Sequence, residues 1–355
     1  MTVTQRKKIA AILAGAGALL LLLALGLRTA LRKEKTTAPA METAAAVTAS
    51  PSPTAAPYVP APPELTLAGE DTLVIPARPV PYEDPGCTAR DALDGDLSDR
   101  IETVVDVCPY RAGEGSVTYT VTDSEGFTAS AVRRVIVTAA EPAETVIPEG
   151  RVIYLTFDDG PSANTDRLLE VLDAYDVKAT WFVTACHPAY LSRLSAITER
   201  GHTLAIHSAT HDYNAIYRSE EAFFADLAEM QDTICSYTGQ RPALLRFPGG
   251  GSNTVSGFNP GIMTRLTECL ADMGYVYFDW NVTAADTAPD ANISTVIANV
   301  TEGVSARDCS VVLQHDTCSF SVDAVETILQ WGIQNGYTFL PLDETSPTFH
   351  HPLNN

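Results

Sequence analysis

The chain has 355 residues, 45% of them hydrophobic and 19% charged, and a formal net charge of −21. That length leaves room for about two domains. The acidic balance excludes a nucleic-acid binder, since duplex affinity rests on Lys and Arg meeting phosphates; it also disfavours polyanionic glycans and suits a neutral or cationic substrate.

The charge is uneven. Residues 1–35 hold seven basic side chains and one acid, Glu34, against 16 basic and 43 acidic over 36–355. Within the basic region, Ile9 to Leu27 is an uncharged run of 19 residues. It is long enough to cross a bilayer as one helix. Arg6, Lys7 and Lys8 precede it, and Arg28, Arg32 and Lys33 follow. Basic residues on both flanks leave the orientation open by charge alone. The bulk of the chain follows the span, so the expectation is a single-pass anchor over 1–35 with a short cytoplasmic N-terminus and an extracellular remainder. A cleaved signal peptide is the alternative. Residues 36–63, rich in Ala, Thr, Pro and Ser, read as an extended linker.

Residues 64–140 read as short strands, including the alternating run SVTYTVTD at 116–123. Asp94-Gly95 and Glu125-Gly126 supply turns, and no long helical pattern intervenes. A small all-β sandwich is expected. Its two cysteines, Cys87 and Cys108, are candidates to pair outside the cell. The five in the rest of the chain leave at least one free thiol. PYEDPGCTARDALDGDLSDRI followed by SVTYTVTDSEGFTAS resembles the bacterial immunoglobulin-like repeats found on surface enzymes. The resemblance implies a spacer or wall-contact module without catalysis.

After a short linker at 141–150, residues 151–345 change rhythm, and 346–355 read as a tail. VIYLTF (152–157), KATWFVTA (178–185), TLAIHS (203–208), ALLRF (243–247), YVYFDW (275–280) and VVLQH (311–315) are strand-like. Helical segments alternate with them, one of them opened by Ser219 and closed by Gly239. The alternation predicts an α/β fold with parallel strands, as a barrel or a doubly wound sheet. Ligands in such folds bind at the carboxyl ends of strands.

Five polar clusters fall at those ends: TFDDGP (156–161), HSATH (207–211), RFPGG (246–250), Asp279-Trp280, and His315. A lone DDG is usually a turn, and a lone H-x3-H is usually incidental. Their joint recurrence at strand ends points to chemistry. His207 and His211 are four apart, so one helical turn would put both on one face. Two imidazoles and one carboxylate leave an open position on a metal ion, as in catalytic zinc sites. Asp158 and Asp159 should leave the strand end in different directions, one toward a metal and one toward water. His202 reads as structural, and His350 and His351 as solvated tail residues.

Over 151–342 these clusters resemble the NodB-homology polysaccharide deacetylases of carbohydrate esterase family 4. The resemblance implies a distorted (β/α) barrel. It implies Asp158 as general base, Asp159, His207 and His211 as metal ligands, and Arg246 as the residue orienting Asp158. It implies Asp279 tuning His315, His315 as general acid, and Leu313 and Trp280 lining an acetyl pocket. The backbone N–H of Gly249 is a candidate oxyanion donor, at a position where many relatives carry an aromatic residue. One divalent ion is expected, zinc first, with cobalt, nickel or manganese able to serve. The expected substrate is N-acetylglucosamine in cell-wall peptidoglycan, met by a monomeric, membrane-held enzyme. An O-acetyl xylan-type esterase and a non-catalytic glycan-binding protein are the alternatives.

Overall fold

The structure is a computed structural model that describes residues 58–354. The candidate span at 9–27 and most of the linker lie outside the described residues, among which no helix is long and apolar enough to cross a membrane.

The N-terminal module has seven strands: β1 (Glu64–Leu67), β2 (Thr72–Pro76), β3 (Cys87–Asp91), β4 (Gly95–Asp96), β5 (Glu102–Asp106), β6 (Gly113–Thr122) and β7 (Thr128–Thr138). They form two sheets, β1-β3-β4 and β2-β7-β6-β5. Alternation along β6 and β7 sends Val117, Tyr119, Val135 and Val137 into the core between the sheets. Arg133 is fully buried there, paired with Asp84 at 3.0 Å and donating to the carbonyls of Ala68 and Gly86. Cys87 and Cys108 are both free thiols, as are the other five cysteines. The expected pairing is therefore absent.

This module is more than a spacer. The loop after β5 sends Tyr110 into the hydrophobic core of the following domain, where its ring stacks on Phe224 at 4.6 Å. Ala112 N–H donates to the Asp272 carboxylate at 2.9 Å, and Ala140 N–H donates to the Asp272 carbonyl at 2.7 Å.

The second domain alternates strand and helix: β8 (Arg151–Asp158), α1 (Thr165–Ala174), β9 (Thr180–Thr184), α2 (Arg193–Glu199), β10 (Thr203–Ser208), α3 (Tyr213–Ile216), α4 (Glu220–Thr238), β11 (Leu244–Leu245), α5 (Ile262–Asp272), β12 (Val276–Tyr277), β13 (Val282–Thr283), α6 (Ile293–Ser305), β14 (Cys309–His315), α7 (Ser319–Gln334) and β15 (Tyr337–Phe339). Helix α4 starts where the Ser219 side chain accepts from Ala222 N–H and stops at left-handed Gly239. The strands run parallel in the order β12-β11-β10-β9-β8-β14-β13, with β15 also on β8. β8 and β9 are buried along almost their whole length, as a sheet covered on both faces requires.

No ladder joins β12 to β13, so the barrel is open at that seam. The segment read from sequence as one strand over 275–280 instead ends at Tyr277, and β13, not β12, pairs with β14. The C-terminal residues run along the opening. Asp279 N–H donates to Phe349 O, His351 N–H donates to the Asp279 carboxylate, and the His350 ring stacks on Tyr277 at 3.8 Å. His351 is thus a half-buried, bonded residue rather than a solvated one, whereas His350 is exposed, as expected, while bonding Tyr277 O: the open seam leaves polar groups of 277–280 for both to satisfy.

Candidate active site

β8 carries Asp158 on its last residue, and the register sets it directly beside His315, the last residue of β14. Asp158 is 3% exposed, and its Oδ1 accepts from Arg246 Nη1 at 2.7 Å. Arg246 is fully buried and pinned on every side. Nη1 also donates to Thr156 Oγ1 at 2.7 Å, Nε to Phe278 O at 3.0 Å, and Nη2 to Asp279 O at 3.1 Å. Its guanidinium lies 4.0 Å over the Phe182 ring. A buried charge is stable only when paired and bonded in this way. One oxygen of Asp158 is thereby tied, and the other faces His207 at 3.9 Å.

The chain turns at Asp159, whose φ is 66° and whose carboxylate faces the two histidines. Asp159 Oδ1 lies 3.6 Å from His207 Nε2 and 3.5 Å from His211 Nε2. It is buried and has no hydrogen-bond partner. Two ligand atoms each about 2.0–2.2 Å from a tetrahedral ion sit about 3.3–3.5 Å apart. A carboxylate oxygen held at that spacing from two imidazole nitrogens, without a proton donor, fits a divalent cation. His207 Nδ1 donates to Arg246 O at 2.7 Å, which leaves Nε2 with its lone pair facing Asp159. Burial, and next the neighbouring His207, holds His211 below the usual histidine range.

The two histidines do not share a helix. His207 lies in β10, and His211 sits in the following loop with φ of 52°. The loop is held by Asp226 on α4, a residue the sequence reading missed. Its carboxylate accepts from Ser208 Oγ, Ala209 N, Thr210 N and Thr210 Oγ1, all at 2.7–2.9 Å. Asp316 was also missed. It is fully buried and accepts from Thr165 Oγ1 at 2.7 Å and Trp181 Nε1 at 3.0 Å, fastening the loop after Asp159 to the end of β14. A Cβ at Gly160 would come within 2.9 Å of that carboxylate.

The partner of His315 is Asp286, not Asp279. Asp286 Oδ1 meets His315 Nδ1 at 2.8 Å, while its Oδ2 accepts from His315 N at 2.7 Å and Ser321 Oγ at 2.6 Å. Burial opposes a charge on His315, but the Asp286 bond and the carboxylates of Asp158 and Asp286 outweigh it and push the imidazole up to about 9. Asp279 instead accepts from Gly251 N and His351 N at 2.7 and 2.8 Å. The reason is topological: β13 lies beside β14, so the acid that follows β13 reaches His315, whereas Asp279 belongs to the seam. The available signal was the strand-like VT at 282–283 with an acid three residues on.

Gly249 has φ of 78°, and Trp280 lies against Gly250, where a Cβ would meet its ring at 2.9 Å. Leu313 is 8% exposed, two residues before His315 and so on the same face of β14.

Residues 145–258 match the family model for polysaccharide deacetylase, and residues 65–137 match that for the Ig-like domain of bacterial surface proteins. The chain is 32% identical over 215 residues to a peptidoglycan-N-acetylglucosamine deacetylase of Bacillus cereus, covering 58% of this chain and 73% of that protein. It is 30% identical over 205 residues to the putative polysaccharide deacetylase YheN of Bacillus subtilis, covering 56% and 70%. The solved catalytic domain of a peptidoglycan N-acetylglucosamine deacetylase from Eubacterium rectale is 53% identical, with a TM-score of 0.59, covering 60% of this chain and 98% of that one. With a strand-end site of this composition and relatives matched over most of their length, the chain belongs to the polysaccharide deacetylase family and is a deacetylase carrying an Ig-like domain ahead of its catalytic domain.

Proposed function

We propose that the enzyme removes N-acetyl groups from N-acetylglucosamine in cell-wall peptidoglycan, using one divalent ion, zinc first, held by Asp159, His207 and His211. The observation that carries this reading is an orphaned carboxylate oxygen of Asp159 facing two imidazole nitrogens, beside a third histidine, His315, bonded to the Asp286 carboxylate. Amide hydrolysis needs an electrophilic site and a proton donor for a poor leaving group, and the two sides of the pocket supply these separately. The substrate reading is supported by the activities named for the relatives and by an acidic surface suited to a neutral or cationic glycan.

When bound, the ion supplies the positive charge that polarises the acetyl carbonyl and acidifies water. Asp158, with one oxygen tied to Arg246, takes the proton of the attacking water on its other oxygen. The water oxygen bonds to the acetyl carbon, and the backbone N–H of Gly249 is the candidate donor to the developing oxyanion. His315 delivers its proton to the sugar nitrogen as the C–N bond breaks, leaving acetate and a free amine. Asp286 orients His315 and stabilises its cation. Trp280 and Leu313 line the acetyl side.

The apolar run 9–27 would hold the enzyme at the outer face of the cell membrane, with 36–63 as tether. Mass spectrometry of purified peptidoglycan fragments before and after treatment tests the substrate. Loss of acetyl from glucosamine supports the reading. Loss only from acetylated xylan would replace it with the esterase reading, and no loss from either would favour a binding protein. Protease accessibility of the catalytic domain on intact cells tests the topology, and a domain protected until lysis would contradict it.

A further inference from the structure

The resemblance leads one to expect an aromatic side chain at 249, and Gly249 supplies none. What lies over Gly249 is Tyr213. A Cβ at 249 would stand 3.6 Å from Tyr213 Cε1, 3.8 Å from its Oη and 3.1 Å from Asn253 Cβ. The Tyr213 ring therefore stands at van der Waals distance from the side-chain position that Gly249 leaves empty. The left-handed backbone at Gly249 also disfavours any larger residue.

Tyr213 is held in place by three contacts. It opens α3, two residues after His211, where the Asp212 side chain caps the helix by accepting from Asn214 N and Ala215 N. Its ring meets His211 edge-on at 5.1 Å and 61°. On the other side it lies nearly parallel to Tyr217, at 8° and 6.5 Å between centroids. Tyr217 is itself fully buried, with its hydroxyl donating to Pro248 O at 2.8 Å, so the column is tied to the loop that carries Gly249. Tyr213 is only half-buried. It is a rigid aromatic ring at the rim of the Asp159, His207 and His211 cluster, where sugar-binding pockets need a flat apolar surface.

The geometry points to Tyr213 as the platform on which the N-acetylhexosamine ring packs while its acetyl group enters the site, in place of the aromatic residue missing at 249. This inference rests on the N-deacetylase reading above. Tyr213 is thus a specificity-determining residue, and its ring, more than its hydroxyl, carries the contact.

The test uses the full chain loaded with zinc and two variants. Tyr213→Leu keeps bulk beside His211 but removes the flat ring; Tyr213→Phe keeps the ring. Acetate release from an N-acetylglucosamine tetramer is compared with hydrolysis of para-nitrophenyl acetate, which needs no sugar platform, and zinc per chain is measured throughout. The Leu variant should lower kcat/KM on the tetramer about tenfold, mainly through KM, with ester hydrolysis and zinc content unchanged. The Phe variant should stay within about threefold of the unaltered enzyme on both substrates. Unchanged tetramer kinetics in the Leu variant overturns the inference. So does an equal loss on both substrates or a loss of zinc, which would make Tyr213 only a support for His211. An unaltered enzyme that cleaves the ester but releases nothing from the tetramer would overturn the N-deacetylase reading, and the platform with it.

Discussion

His207 on β10 and His315 on β14 lie to either side of β8 and its Asp158, and their ring partners differ. His207 Nδ1 donates to a backbone carbonyl, a neutral acceptor that fixes the tautomer without adding charge. His315 Nδ1 meets the Asp286 carboxylate, which holds the ring cationic. A third histidine completes the series: His202 Nδ1 accepts from Ala179 N–H, and burial drives that imidazole down to about 4. One residue type therefore serves as electron-pair donor, proton donor and neutral packing group according to what its other nitrogen meets.

The ion side should be the less forgiving. Replacing His207 with Ala should strip the ion and drop acetate release to background, read by metal analysis alongside turnover; full metal content in that variant would break the assignment of His207 to the ion side. Asp158→Asn should cost about 10²–10⁴-fold in kcat while metal content stays at the level of the unaltered enzyme. Equal loss of metal would merge Asp158 with the ligands and erase its separate role.

The acid side predicts a graded response. Asp286→Asn should lower kcat/KM by about 10–100-fold and move the alkaline limb of the pH profile downward. The sign follows from the charge. Catalysis by a cationic acid is present below the folded-state pKa and lost as pH rises through it. In the unaltered enzyme that limb lies at or below about 9, a bound divalent cation nearby acting to lower it. Without the Asp286 carboxylate, burial favours neutral His315 and the limb falls. Asp279→Asn is the control with the smallest expected effect on chemistry: it should loosen the 250–251 loop and the C-terminal segment, costing about 1–3 kcal/mol of stability, and leave the limb where it was. A limb that moves with Asp279 and not with Asp286 would reverse the assignment of the two acids.

The strand-end clusters were legible because β8, β10 and β14 are apolar, short and end at Asp158, Ser208 and His315 beside the clusters. Asp158, Asp159, His207, His211, Arg246 and His315 all come together in the pocket. The reasons were less legible than the residues. The four-residue spacing of His207 and His211 suggested a helix, but a strand end and a left-handed loop residue bring them together. The family resemblance implied Asp279 as the partner of His315. Sequence alone could not show that the sheet opens after Tyr277 and that β13 is the strand paired with β14. Asp226 and Asp316 work through bonds to backbone and side chains distant in sequence, which no local pattern records. The docking of Tyr110 into the catalytic domain depends on a single aromatic residue in a loop, too little signal to be read in advance.

The most direct test of the account is acetate release from N-acetylglucosamine oligomers by the full chain, measured after exhaustive chelation and again after adding back zinc. The account predicts that release stops when the metal is gone and returns with the ion, while Asp159→Ala shows no return. Release that continues undiminished in protein shown to be metal-free would contradict it.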